Sequence, residues 1–259
     1  MATSARIVAA GRGARWLGEG WRLFRAAPLS WIALVFAYWL LMNLLVLVPF
    51  AGLLVAPVLV PAFSVSFMVA GRAAARGGPV GLDTLFSGFR EQLPRLLALG
   101  AVYLACLALA LGATALFDGG SLVHAMLGAQ PAADAKVEPG AVVGALLIAL
   151  ALYGPVMMMF WFAPVLVAWH GVGVAKALFF SFLACLLNWR PFLAYGAVAI
   201  LMTVVAPSFA LSGLLLFTGG TLPVSLESFV YALMLVMMPT LLASFYVSYR
   251  DVFGAPDEG

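Results

Sequence analysis

Six long apolar runs limit what this chain of 259 residues can fold into. The runs are Leu29–Val48, Phe50–Ala70, Leu96–Phe117, Ala141–Trp169, Phe192–Phe217 and Phe229–Tyr249. A helix that rises about 1.5 Å per residue needs about 20 residues to cross the hydrocarbon of a bilayer, and every run reaches that length. We therefore predict an all-α integral membrane protein with six transmembrane helices, which form a single membrane domain over residues 1–259.

The composition argues against a soluble enzyme. Hydrophobic residues make up 65% of the chain and charged residues only 9%, whereas soluble domains carry about 25% charged residues. Six spans leave only short connections, so no soluble catalytic domain fits between them, and we expect no enzyme, no cofactor and no bound metal. We also expect no nucleic-acid partner, because the arginines lie beside the apolar runs rather than in one dense patch.

The basic residues predict the topology. All but one of the thirteen Lys and Arg residues lie before the first run, on alternate connections or in the tail, and the exception is Lys136. The positive-inside rule places these connections in the cytoplasm. We therefore predict a multi-pass protein of the bacterial inner membrane with both termini in the cytoplasm and Phe117–Gly140 as the largest periplasmic loop. The first run begins only at Leu29 and is too long for the core of a cleavable signal peptide.

Three amphipathic segments precede the first, third and fifth runs on the predicted cytoplasmic side. They are Ala14–Ala27, Leu82–Leu93 and Val174–Trp189, and they are followed by Pro28, Pro94 and Pro191. Apolar residues recur in them at helical spacing, and mixed faces with aromatic residues suit the headgroup boundary. A proline is tolerated at the start of a helix and disfavours helix in the residue before it. We predict interfacial helices, each separated from the next span by a proline corner.

The second run of each pair contains a recurring pattern. Pro61 lies eleven residues before Arg72, and Pro239 lies eleven residues before Arg250, with Ser, Phe and Val at matching offsets between them. The sequence of residues 56–60 also recurs at 163–167. These matches predict three repeats, at about 14–71, 82–169 and 174–250, each an interfacial amphipathic helix followed by a transmembrane hairpin. The alternative is that hairpins with proline kinks look alike in so apolar a sequence.

Three stretches resemble a known family. They are residues 160–169, 188–192 and 20–28, with the sequences FWFAPVLVAW, NWRPF and GWRLFRAAP. They resemble a family of uncharacterised betaproteobacterial six-span inner-membrane proteins. More loosely, the plan is similar to the membrane domain attached to some bacterial glycerophosphodiesterases. The resemblance implies a fold and a location but no activity, and the phosphodiesterase chemistry does not carry over because no such domain accompanies the six runs.

Candidate reactive residues are few. No ionisable residue lies at the centre of a run, where such residues commonly mark transport paths. Asn43 is the most polar side chain within a run and is the candidate intramembrane polar site, either bonded to a neighbouring helix or coordinating a ligand. His124 and His170 face opposite sides of the membrane, so they cannot share a site. We expect Cys106 and Cys185 to be two separate small apolar side chains.

Two classes of function remain. The first is a non-catalytic membrane protein that acts through lipids or a partner membrane protein. The alternative is a small carrier or channel for an apolar or weakly polar substrate. The candidate contacts to anionic lipid headgroups on the cytoplasmic side are Arg15, Arg22, Arg25, Arg72, Arg76, Arg90 and Arg95. Each arginine near the membrane surface contributes about 1 kcal/mol of attraction. Equally, these residues could serve only to set the topology during insertion.

Overall fold

The computed structural model describes residues 5–48, 51–118, 139–218 and 226–254, and within these ranges it contains helices and no strands. The helices are α1 (Gly11–Ala26), α2 (Pro28–Val46), α3 (Ala51–Ala75), a 3-10 helix (Leu82–Arg90), α4 (Leu93–Asp118), α5 (Pro139–His170), α6 (Val174–Leu187), α7 (Trp189–Ile200), a π-helical turn (Leu201–Val205), α8 (Ala206–Phe217) and α9 (Leu226–Phe253). Among the described residues, six helical stretches are long and apolar enough to cross a membrane, which confirms the predicted all-α membrane fold with six spans. Most of the predicted periplasmic loop Phe117–Gly140, including His124 and Lys136, lies outside the described residues.

The spans divide into a central and a peripheral set. In the most apolar part of α3, α5 and α9, between 39% and 50% of the residues are buried, against 0% to 17% in α2, α4 and the continuous helix α7–α8. The buried stretches lie near the carboxyl ends of the central helices, such as Phe162–Ala168 of α5. The second helix of each hairpin therefore supplies the core, and the first helix covers it.

The second and third amphipathic segments pack against the hairpin that precedes each of them in the chain. The first segment, α1, packs against the last hairpin. The 3-10 helix lies against α3 and α2, α6 lies against α5, and α1 lies against α9 and α7. The contacts of α1 therefore close the bundle into a ring. The three-fold repeat itself, in which the three units would superpose, stays a prediction.

Small residues lie where the segments cross the central helices. A Cβ atom on Gly20 of α1 would lie 2.6 Å from the carbonyl oxygen of Thr240 in α9. In α6 the small residue is Ser181, whose hydroxyl donates to the carbonyl of Met158 at 2.7 Å and accepts from the backbone N–H of Phe162 at 2.9 Å. The helix axes approach this closely because no larger side chain intervenes.

The second amphipathic segment differs from the prediction. We predicted a helix over Leu82–Leu93, and the structure has a nine-residue 3-10 helix that ends at Arg90. Its chain direction changes at Gln92, which has a φ of 48°. Such long 3-10 helices are uncommon because their hydrogen-bond geometry is poorer. Here the close packing of the segment on α3 accompanies the tighter winding.

A π-helical turn interrupts the fifth span. The backbone N–H of Ala206 donates to the carbonyl of Leu201, five residues earlier, directly before Pro207. Proline has no N–H to donate and clashes with the carbonyl four residues before it. The wider turn accommodates that defect within one continuous span, Trp189–Phe217. The prolines inside α3, α5 and α9 are Pro57, Pro61, Pro155, Pro164 and Pro239.

Candidate functional site: an arginine rim and the network beneath it

The inward face of α1 carries the large apolar side chains of an amphipathic helix. Trp16 is fully buried, and its ring lies edge-on to Phe192 at a centroid distance of 5.2 Å. Its indole N–H donates to the carboxylate of Asp251 at 2.9 Å. A buried tryptophan commonly needs such a partner for its N–H. Trp16 therefore fixes α1 against both α7 and the end of α9.

Two acidic side chains bind two arginines beneath this face. Asp251 accepts two hydrogen bonds from the guanidinium of Arg12, one of them from Nε at 2.7 Å. Glu19 lies 2.6 Å from Arg250 and 3.3 Å from Arg12. The carboxylate side chains are only 17% and 10% exposed for Glu19 and Asp251. The network of Arg12, Glu19, Arg250 and Asp251 joins the first helix to the last.

The chain before α1 is also held in place. The backbone N–H of Arg6 donates to the carbonyl of Val252 at 2.7 Å. The side chain of Asn188, which is fully buried, accepts from the N–H of Val8 at 2.9 Å and donates to the carbonyl of Arg6 at 3.1 Å. Asn188 thus satisfies backbone groups of a segment that has no helix of its own. Sequence reasoning did not find this role for Asn188.

The structure places six of the seven candidate headgroup contacts on the exposed surface. These six, which we call the arginine rim, are Arg15, Arg22, Arg25, Arg76, Arg90 and Arg95. Arg15, Arg22 and Arg25 share the outward face of α1, where Arg22 lies 3.7 Å from Glu19. Arg95 donates to the carbonyl of Gly171 at 3.0 Å. Its residues lie on α1, directly after α3, at the end of the 3-10 helix and in the first turn of α4.

The seventh arginine, Arg72, has a different environment. Its guanidinium lies 4.5 Å from the centre of the Trp169 ring, a cation–π geometry, and the residue is half-buried. The Trp169 ring packs edge-on to Tyr249 at 5.2 Å, and the Tyr249 hydroxyl lies 2.7 Å from Nε2 of His170. Residues from the ends of α3, α5 and α9 thus form one aromatic cluster. Arg72 is held by that cluster rather than extended over the surface.

Asn43 lies on the exposed face of α2, near its carboxyl end. Its side-chain amide donates to the backbone carbonyl of Trp39, four residues earlier in the same helix, at 2.8 Å. We had weighed a bond to a neighbouring helix against a ligand-binding role. The amide instead bonds within its own helix, because α2 is peripheral and none of the described helices packs on this face.

The carrier or channel alternative is not supported. In the described spans, every Asp, Glu, Lys or Arg residue lies within three residues of a span end. Between α5 and α9 the rings of Trp161 and Phe245 pack edge-on at a centroid distance of 4.5 Å. The cysteines are both free. Burial raises the pKa of the Cys185 thiol, so that thiol stays protonated.

These features define a helical multi-pass membrane protein whose charged residues gather at the ends of its spans. The chain is 41% identical over 266 residues to a probable inner membrane protein of Burkholderia thailandensis. The match covers 97% of this chain and 94% of that relative. The chain therefore belongs to this family of bacterial inner-membrane proteins, as the resemblance predicted. No protein-family model matches the chain, and no solved structure matches it.

Proposed function

We propose that this inner-membrane protein acts without catalysis by binding anionic lipid headgroups at its arginine rim, with the rim and both termini on the cytoplasmic side. The orientation is supported by the distribution of Lys and Arg, of which only Lys136 lies on the opposite set of connections. The cytoplasmic leaflet carries anionic lipids and a negative surface potential, so a basic surface at that level attracts them.

One observation carries the proposal, namely the division of the arginines into two groups. Arg12 and Arg250 bind the carboxylates of Glu19 and Asp251 inside the fold. Arg15 and Arg25 are exposed and form no ion pair with any acidic side chain among the described residues. The outward face of α1 therefore keeps its positive charge. A helix with an apolar inner face and a basic outer face suits the headgroup boundary.

The test replaces Arg15, Arg22 and Arg25 together by Gln. The protein is purified in mild detergent, and the phospholipids that remain bound are counted by native mass spectrometry. We expect the triple variant to retain several-fold less phosphatidylglycerol than the wild type. Each lost arginine removes about 1 kcal/mol of attraction near the surface.

The matched control replaces the same three residues by Lys, which keeps the charge. If the rim acts through its charge, the Lys variant retains phosphatidylglycerol as the wild type does. Orientation is checked in both variants with a reporter fused after Gly259. Unchanged lipid retention in a correctly inserted Gln variant would show that these arginines act only as topology signals.

A further inference from the structure

A cavity of about 200 Å³ lies between the peripheral helix α4 and the central helices. Helices α3, α4, α5 and α9 all contribute to its wall. Its apolar lining includes Met68, Met157, Phe160, Trp161, Val165 and Phe245. Its polar side-chain atoms come mainly from Ser64 and from the tyrosines Tyr103 and Tyr153.

The hydroxyls of Tyr103 and Tyr153 form one hydrogen bond with each other, which leaves one of their two protons without an acceptor in this pair. Their oxygens are 3.2 Å apart, so one hydroxyl donates to the other. The accepting hydroxyl still has a proton of its own to donate. No other described side chain or backbone group is hydrogen-bonded to either hydroxyl. In hydrocarbon, where no water competes, an unused donor is costly.

The indole of Trp161, which also lines the cavity, already has a partner. The indole N–H of Trp161 donates to the hydroxyl of Ser248 at 3.3 Å. That hydroxyl donates in turn to the carbonyl of Phe245 at 2.8 Å. The unused tyrosine proton is therefore, beside the Ser64 hydroxyl, the directional feature that the cavity offers to a ligand within an otherwise apolar wall.

The size and lining define a class of ligand. Ligand pockets for drug-sized molecules are larger, at about 300 Å³ or more. An apolar cavity of about 150 Å³ binds benzene. Soft methionines and aromatic rings adapt to a flat apolar group. A cavity of this size thus admits one ring or a short chain.

We propose that this cavity binds a small apolar molecule with one carbonyl oxygen, which accepts the free proton of the Tyr103–Tyr153 pair. The arginine rim takes no part in this binding. The cavity and the arginine rim are therefore independent sites. A negative result in the test of one site leaves the proposal for the other site unaffected.

Acetophenone and ethylbenzene make a matched pair of probes, because they have similar size and differ in the carbonyl oxygen. Each radiolabelled probe is equilibrated with the protein in lipid nanodiscs and with empty nanodiscs. We expect saturable binding of one acetophenone per protein above the empty control. Relative to its partition into empty nanodiscs, acetophenone should bind about fivefold more tightly than ethylbenzene, as one hydrogen bond predicts.

Tyrosine variants separate a donor role from a purely structural one. In Tyr103→Phe or Tyr153→Phe, one hydroxyl remains and its proton is free, so the preference for acetophenone should persist. In the double variant neither tyrosine hydroxyl remains, and the two probes should bind equally although the Ser64 hydroxyl is retained. A preference that survives in the double variant, or that is lost in both single variants, contradicts the assigned donor.

Filling the cavity tests its location. Ser64→Leu and, as a second and independent filling variant, Met157→Phe should each reduce the binding of both probes at least tenfold. The Gln variant of the rim should bind both probes as the wild type does. Probe uptake equal to that of empty nanodiscs, or unchanged by both filling variants, would overturn the proposal.

Discussion

A Cβ atom on Gly88 would lie 2.0 Å from the backbone carbonyl oxygen of Ala62. No side chain fits in that space, so the 3-10 helix and α3 approach as closely as their backbones allow. The backbone N–H of Gly88 also donates to the hydroxyl of Ser66 at 3.0 Å. The crossing of α1 over α9 is built in the same way, at Gly20.

The glycine at the crossing of α1 should be far less tolerant of substitution than its neighbour on the same helix. In Gly20→Ala the new methyl group would meet Thr240 and Ser244 of α9, and overpacking of this kind costs about 1–3 kcal/mol. Gly18 is exposed and has open space around it. Gly18→Ala should stabilise the helix by about 0.5–1 kcal/mol through helix propensity. Thermal unfolding of the two variants in detergent gives the comparison, and equal stabilities would contradict the described crossing.

The network at the end of α9 should be needed for the docking of α1. Asp251→Asn removes the charge that binds Arg12 while keeping the size of the side chain. We expect a loss of about 2 kcal/mol or more, because a partly buried guanidinium loses its counter-charge. Asp83 is exposed on the 3-10 helix, and Asp83→Asn should change stability by less than about 0.5 kcal/mol. Protease sensitivity of the chain before α1 measures the undocking, and equal sensitivity of both variants would contradict the role of the network.

The spans were predictable because the hydrocarbon thickness requires length and apolarity, and both can be read locally. Prolines in the first turns of α2, α4 and α7 followed from backbone sterics. The pairing of Arg12 with Asp251 was not predictable, because 239 residues separate them and only the ring closure brings them together. One signal was present in the sequence. Acidic residues are few in this chain, and Glu19 and Asp251 lie among the arginines at its two ends.

Sequence reasoning also missed the helix type of two segments, the 3-10 helix and the π turn. Both the 3-10 helix and the π turn depend on the positions of neighbouring atoms rather than on apolar periodicity. Pro207 indicated a defect in the fifth span, but an α-helical kink and a π turn relieve the missing N–H equally well. The close approach at Gly88 could be predicted only if it were known that α3 is the helix it contacts.

The three-fold repeat predicts geometry that an experimental structure can test. Residues 14–71, 82–169 and 174–250 should superpose as three units related by rotation about an axis along the membrane normal. Pro61 and Pro239 should then lie at equivalent depths, with Arg72 and Arg250 emerging at the same level. Hairpins that no common rotation relates would refute the repeat.

The topology predicts the result of reporter fusions. A reporter that is active only in the cytoplasm should be active after Gly259, because the positive-inside rule predicts that Arg250 and the other arginines beside the spans lie on the cytoplasmic side. A reporter that is active only in the periplasm should be active when inserted within residues 128–134. The reverse pattern would show that the charge distribution does not set the orientation of this protein.

The selectivity of bound lipid tests the central claim most directly. The wild-type protein is equilibrated in detergent with an equal mixture of phosphatidylglycerol and phosphatidylcholine of the same chain length, and the lipids that remain bound are counted by native mass spectrometry. The arginine rim predicts a several-fold enrichment of phosphatidylglycerol, which decreases as salt is added because exposed charges are screened. Bound lipid in the same ratio as the mixture, at low and at high salt, would contradict the account.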